Sequence, residues 1–381
     1  MLPYGRQSID DDDVRAVIDV LRSDWLTTGP KVSEFEEAFA AKVGAAHAVS
    51  FSSGTAALHA AAAAAGLKQG DEAITTPMTF CATANCVLYC GAQPVFADVE
   101  PGTLLIDPEK VERAITPRTR ALLPVDYTGH PADMDALMRL AEKHSLVIIE
   151  DACHALGATY RGRTIGSIAH MSVFSFHPVK HITTGEGGMV TTNDVELAAR
   201  LRLFRNHGIS SDHRQREHAG SFFYEMVDVG YNYRLTDIQC ALGITQLRKL
   251  DASIARRRKI AAAYDAAFRG MSAIRPLQVH NDVEHAYHLY VAQFETELFE
   301  AGRAEIFAAL RAEGIGVNVH YIPVHLHPYY RRRLRTQPGL CPVAEAAYER
   351  IVSLPMFPAM TDRDVEDVIE AVEKVTSQYL A

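Results

Sequence analysis

Between residues 47 and 192 the chain alternates short apolar runs with helix-patterned stretches, and this alternation restricts its fold more than any other feature. The runs cover 47–51, 73–76, 94–99, 121–125, 146–150, 172–176 and 188–192. Seven strand candidates separated by helices predict an α/β fold with a mostly parallel sheet covered on both faces. Ligands of such sheets sit at the carboxyl ends of the strands, so the residues just after each run are the candidates for chemistry.

Helical patterns surround this block. Asp10 opens one, with an acidic first turn and Val14, Val17, Ile18 and Leu21 at helical spacing. A second covers 32–43, after the Gly29-Pro30 break. A long one covers 235–268 and carries Arg256, Arg257, Arg258 and Lys259, a run that an exposed helix face explains more easily than a diphosphate site. Beyond it, 287–294 and 317–320 read as strands, and 304–313 and 361–379 as helices. The expected division is a large ligand-binding domain over 1–250 and a smaller α+β domain over 251–381, within reach of 381 residues that are 48% apolar.

A formal charge of −9 argues against a nucleic-acid or acidic-membrane binder, because both need a basic face to displace counterions. The six cysteines form no CxxC pair and no compact framework, so a reducing cytoplasm is the simplest setting. The longest low-charge run, 56–66, is too short to span a bilayer, and the amino terminus has no signal-peptide pattern.

Three segments at strand ends ask for one kind of ligand. In Ser52-Ser53-Gly54-Thr55-Ala56-Ala57-Leu58 a strand runs through a glycine turn into a helix, which suits a phosphate monoester, although taken alone a plain helix cap is the commoner explanation of such a turn. In Leu146-Val147-Ile148-Ile149-Glu150-Asp151-Ala152-Cys153-His154 a strand ends in two acids, and an acid there either caps a helix or pairs with a protonated ring nitrogen. The third, Ser172 to Lys180 with the tail Thr183-Thr184-Gly185-Glu186-Gly187-Gly188, places a lysine between a proline and a glycine-rich turn. A desolvated lysine near a phosphate site and an acid is arranged for imine chemistry. Gly185 to Gly188 is no dinucleotide fingerprint, since it precedes a strand. His325 and His327 lack a third ligand at a telling spacing, so no metal is expected.

These three segments, together with Gly230-Tyr231-Asn232-Tyr233-Arg234-Leu235, resemble the DegT/DnrJ/EryC1/StrS aminotransferases over essentially the whole chain. The resemblance implies a fold-type I enzyme with pyridoxal 5'-phosphate held as a Schiff base on Lys180, which later moves the proton. It assigns Asp151 to the ring nitrogen, His154 to the neighbourhood of the phenolic oxygen, and Phe80 to stacking on the ring. Gly54, Thr55, Ala56 and Ser175 would cradle the phosphate. Asn232 would reach the phosphate of a second subunit, which implies a homodimer with shared active sites. Arg234 reads equally as structural.

Within the family, Pro3-Tyr4-Gly5-Arg6-Gln7-Ser8-Ile9 and Trp25-Leu26-Thr27-Thr28-Gly29 resemble the pseudaminic-acid branch. That implies amino transfer from L-glutamate to a nucleotide-linked keto-sugar, giving UDP-4-amino-4,6-dideoxy-N-acetyl-β-L-altrosamine, with Tyr4, Thr27, His320, Tyr321 and His325 against the substrate. The charged stretch 211–218 would also touch sugar or nucleotide. The related dehydratases replace the lysine with histidine, so Lys180 favours transamination; the serious rival is the same chemistry on another 4-keto sugar, D-configured, of perosamine or aminoarabinose type.

Overall fold

The computed structural model describes residues 1–211, 216 and 220–380. Five strands, β1 (His47–Phe51), β2 (Glu72–Thr75), β3 (Gln93–Phe96), β4 (Thr119–Leu123) and β5 (Val147–Asp151), precede a short hairpin, β6 (Thr159–Tyr160) and β7 (Arg163–Thr164). After it come β8 (Met171–Ser175) and β9 (Gly188–Thr192). All but the hairpin form one sheet in the order β1-β9-β8-β5-β4-β2-β3. From β3 to β8 every pairing is parallel, while β9 runs antiparallel to both its neighbours. All seven apolar runs are therefore strands of one sheet, with ends displaced by a few residues.

Burial on both faces explains why these strands are continuous apolar runs. One face packs against Phe35, Phe39 and Val43 of α2 (Pro30–Val43), and against a later helix pair described below. The other packs against the alanine-rich α3 (Gly54–Ala64) and against α4 (Ala82–Tyr89). The helix α1 (Asp11–Leu21) corrects its sequence reading: Val14, Ile18 and Leu21 are exposed, whereas Asp13 and Val20 are buried. Asp13 is drawn inward by donors, accepting from Thr245 Oγ1 at 2.6 Å and from Gln246 Nε2 at 2.8 Å. That polar contact, not the apolar stripe, sets which side of α1 faces the protein.

Three further helices, α5 (Pro108–Ala114), α6 (Met134–His144) and α7 (Val195–Arg205), complete the layers around the sheet. The pattern read as one helix over 235–268 is two, α8 (Asp237–Arg248) and α9 (Leu250–Phe268), parted at Lys249, whose amine reaches Asp10 at 2.8 Å and Asp13 at 2.5 Å. Arg257 on α9 is not part of an exposed basic face; it is among the largest fully buried side chains. Its neighbours Arg256 and Lys259 pair with Asp362.

The remaining strands are β10 (Ile274–Pro276), β11 (Val283–Glu284), β12 (Tyr290–Phe294) and β13 (Ile351–Leu354), and β10, β12 and β13 form an antiparallel sheet. The helices α10 (Arg303–Ala312), α11 (Pro328–Leu334), α12 (Pro342–Tyr348) and α13 (Asp362–Tyr379) surround it. Residues 317–320 are not a strand; Asn318 makes one bridge to Ser353 before the chain turns to carry His320 and Tyr321 toward the large sheet. The helix α9 serves two cores, since Leu250 and Ile254 pack with the large sheet and Ile260, Tyr264 and Phe268 with the small one. Among the described residues no helix is long and apolar enough to cross a membrane.

Candidate active site

A cavity of about 550 Å³ opens where β1, β2, β5 and β8 end, roofed by residues 318–321. At one end of it, β1 turns into α3. Ser53 caps the helix by accepting the Ala56 N–H at 3.0 Å, which leaves the Gly54 and Thr55 amides of the first turn without helical acceptors. Ser175, the last residue of β8, meets this turn so closely that a Cβ on Gly54 would lie 2.9 Å from Ser175 Cβ. Gly188 is packed just as tightly, with a Cβ there falling 2.5 Å from the Ser53 carbonyl oxygen. Two free amides and two hydroxyls at the start of an 11-residue helix make a site for a dianionic phosphate.

Asp151 closes β5 beside this turn, and both its oxygens are held. Thr83 Oγ1 donates to Oδ2 at 2.6 Å and the Cys153 amide donates to Oδ1 at 3.2 Å. Behind it lie two further acids. Glu150 and Asp126 are fully buried, and Glu150 Oε1 and Asp126 Oδ2 have no partner among the described residues, while the other oxygen of each takes a donor from Ser172 or the Ala132 amide. Burial pushes the Glu150 carboxyl up to about 7, and burial followed by repulsion from Glu150 pushes Asp126 well above the usual carboxylate range. The two oxygens left without donors on neighbouring acids fit a proton shared between them.

Lys180 follows β8 through the Pro178 turn, and its amine lines the cavity. Burial lowers its proton affinity, opposed by Cys153 and Asp151. Its Nζ lies 3.4 Å from Nε2 of His288. The His288 ring in turn leans on His154, centroids 4.3 Å apart, and His154 Nε2 lies 3.1 Å from the Tyr321 hydroxyl. Burial first, and the Lys180 charge next, hold both imidazoles far below their ordinary range, and burial brings His320 down to about 4. These rings are neutral at physiological pH, so they add no positive charge beside the lysine.

The DegT/DnrJ/EryC1/StrS aminotransferase family model matches residues 7–373. The chain belongs to this family. It is 46% identical over 376 residues to the spore coat polysaccharide biosynthesis protein SpsC of Bacillus subtilis, covering 98% of this chain and 97% of that one. The solved structure of Helicobacter pylori PseC, an aminotransferase involved in the biosynthesis of pseudoaminic acid, matches with a TM-score of 0.92 at 35% identity, covering 99% of both chains. A Streptococcus pneumoniae protein assigned as a sugar aminotransferase matches in its PLP form with a TM-score of 0.93 at 32% identity, covering 100% of both. The family is pyridoxal-phosphate-dependent, so this chain is a sugar aminotransferase that uses that cofactor.

The cavity fits such a group: an anion cradle at Gly54 and Thr55, a carboxylate at Asp151 and a lysine amine stand around one space. Of the residues expected from the family resemblance, Gly54, Thr55, Asp151, His154, Ser175 and Lys180 line it, as do Tyr4, Phe80, His320 and Tyr321. Phe80 is 58% exposed at the rim, its ring 6.2 Å from that of Tyr321. Ala56 does not join them, because its amide is spent on the Ser53 cap. Thr27 is exposed and bridges to Thr236, away from the cavity. His325 is fully buried and bonded to Glu345 at 2.8 Å, so the apolar packing of Phe96 and the acid hold it outside the cavity.

Asn232 is exposed and bridges to Asn206, outside this chain's own cavity. Arg234 reaches the Asn206 side chain at 2.7 Å. The stretch 211–218 lies, apart from Ser211 and Arg216, outside the described residues. Sequence reading missed Thr83 and His288. His288 stands two residues before β12 in His285-Ala286-Tyr287-His288, and the only signal was a second histidine at the mouth of a strand.

Proposed function

We propose that this enzyme moves the amino group of L-glutamate to C4 of UDP-2-acetamido-2,6-dideoxy-β-L-arabino-hexos-4-ulose, in pseudaminic-acid or related surface-glycan biosynthesis. The observation that carries the amino-transfer part is the convergence of Lys180, Asp151 and the Gly54-Thr55 cradle on one cavity. Pyridoxal phosphate held there would supply an electron-withdrawing ring, a sink for the electron pair of the C–H bond beside the amine. Asp151, oriented by Thr83 and the Cys153 amide, is placed to keep a proton on the ring nitrogen. Lys180 is the base at hand for that C–H proton, because desolvation leaves more of its amine neutral than an exposed lysine would have. His154 and Tyr321, 3.1 Å apart, fix each other in the cavity wall.

Support for the sugar comes from the likeness to PseC and from the roof over the lysine. Tyr4, Asn318, His320 and Tyr321 offer aromatic faces beside polar groups, and His320 is fixed by Ser353 at 2.8 Å. Such a lid separates axial from equatorial hydroxyls, since a polar group left unpaired in a closed site costs about 1–3 kcal/mol. The higher identity to SpsC favours a second reading, the same chemistry on a different 4-keto sugar of a surface polysaccharide. Competing the L-configured sugar against D-configured UDP-, GDP- and dTDP-linked 4-keto sugars, with glutamate and mass-spectrometric detection, tests this; prior consumption of a D-sugar selects the second reading.

The reading includes a homodimer with shared sites and a large domain over 1–250 joined to a small one over 251–381. Exposed Phe222, Phe223, Met226, Val227 and Val229, leading into Asn232, support the first by offering apolar surface for a second copy. Mixing inactive Lys180→Ala with weakened Asn232→Ala subunits should restore activity, because one site of each mixed dimer then has both residues. No recovery in proven mixed dimers removes Asn232 from the site.

A further inference from the structure

The Lys180 amine has one hydrogen-bond partner among the described residues, and it is a ring that no motif pointed to. His288 Nε2 lies 3.4 Å from Lys180 Nζ. The ring is 5% exposed, with His154 on one side at 4.3 Å between centroids and His181 on another at 5.6 Å. Its backbone is fixed from below. The buried Arg257 on α9 donates through Nη1 to the carbonyls of Tyr287 at 3.1 Å, His288 at 3.2 Å and Met356 at 2.9 Å. An imidazole that served only to fill the core would not need to face a lysine amine across a cavity.

We propose that His288 is a catalytic residue whose Nε2 accepts a hydrogen bond from the Lys180 amine and holds that amine in the cavity whenever it is not joined to the cofactor. The proposal rests on the reading of Lys180 as the cofactor lysine. Amino transfer frees that amine once in each half-reaction, and a side chain with four rotatable bonds must then be kept from wandering. Acceptance through Nε2 puts the ring proton on Nδ1, the nitrogen without a partner among the described residues. The groups facing the ring are Lys180, His154, His181 and Arg257; burial first, and then the charge of Lys180, keep it neutral. Around Lys180 stand also Asp151 and Cys153.

An acceptor favours the charged ammonium, so it partly offsets the effect of burial on Lys180. Removing it should lower the lysine's proton affinity further and also misplace the amine. The test uses the full-length protein stripped of cofactor, following recapture of pyridoxal phosphate by visible absorbance as a function of pH. His288→Phe keeps the volume and removes the acceptor. It should move the midpoint of the recapture rate down by about one pH unit and slow the plateau rate about tenfold, whereas His288→Gln, which returns an acceptor, should stay within about threefold of the parent. An unchanged midpoint and plateau in His288→Phe overturns the proposal.

Should His288→Phe fail to fold by circular dichroism, the unmodified protein decides. Its histidine ring-nitrogen NMR signals, with that of His288 assigned by its loss in His288→Gln, should show a neutral ring protonated on Nδ1; a proton on Nε2 or a charged ring overturns the proposal. Lys180→Ala separates the two readings. If that variant still captures the cofactor covalently, the lysine assignment fails, whatever His288 does.

Discussion

The two sides of the β5 terminus treat charge in opposite ways. On the cavity side stand bases, Lys180, His154, His288 and His320, and burial lowers the proton affinity of each. Behind it lie acids, Glu150 and Asp126, and burial raises theirs. Both walls are thereby driven toward neutrality, since desolvation disfavours whichever form is charged. Asp151 stands between them with donors on both oxygens, while each acid behind it has an oxygen without one. Charge is kept where partners wait for it and suppressed elsewhere, so few charges in the site lack an assigned task.

The harshest way to break this contrast is Lys180→Ala. Turnover should fall below detection, and cofactor that the parent retains should be lost on dialysis; a folded variant that keeps both would remove the basic wall from the chemistry. Next comes Asp151→Asn, which keeps the shape but cannot stabilise a ring cation. A fall in kcat of about a hundredfold or more is expected, with a smaller loss of cofactor affinity. Near-parental kcat would mean that the charge between the walls is not used.

A smaller effect is expected of Thr83→Val, which removes one of the two donors to Asp151. The loss of a hydrogen bond to a charged group, about 1.5–3 kcal/mol, should appear as a roughly ten- to hundredfold fall in kcat/KM with the fold intact by thermal melting. No change would show that the Cys153 amide alone suffices.

The mildest variant probes the acid wall through stability. Glu150 has a folded proton affinity raised from 4.5 to about 7, so the folded state binds more protons than the unfolded one in that window, and stability is lost as pH rises through it. Glu150→Gln removes that dependence. Its Tm relative to the parent should therefore rise between about pH 4.5 and pH 7 and level off above. A difference independent of pH would mean that Glu150 is ionised throughout.

What the sequence made legible was whatever repeats or punctuates. Seven strands showed as apolar runs because both faces of the sheet are covered, and Gly54, Asp151 and Lys180 stood out because each lies within four residues of the end of such a run. Features set by a single distant contact did not show. The face of α1 is chosen by Asp13 meeting α8, which no periodicity encodes. Arg257 reads like its basic neighbours until its three carbonyl partners are seen, and His325 looked like a ligand-facing loop residue until Glu345 claimed it. Thr83 lies on a helix of ordinary pattern and His288 in the connection before β12, and only the fold brings them to the acid and the lysine.

The Arg257 contacts carry a consequence for the order in which the molecule is made. The guanidinium on α9 gathers carbonyls from Tyr287, His288 and Met356, the last of these near the end of the chain. On a ribosome, Lys180 and Asp151 emerge and can settle into their sheet while His288, His320 and Met356 are still unmade. For that interval the nascent protein has a phosphate cradle and a reactive amine but neither roof nor tether. The seat of His288 beside Lys180 is therefore completed only after Met356 has been made and its carbonyl can meet the arginine.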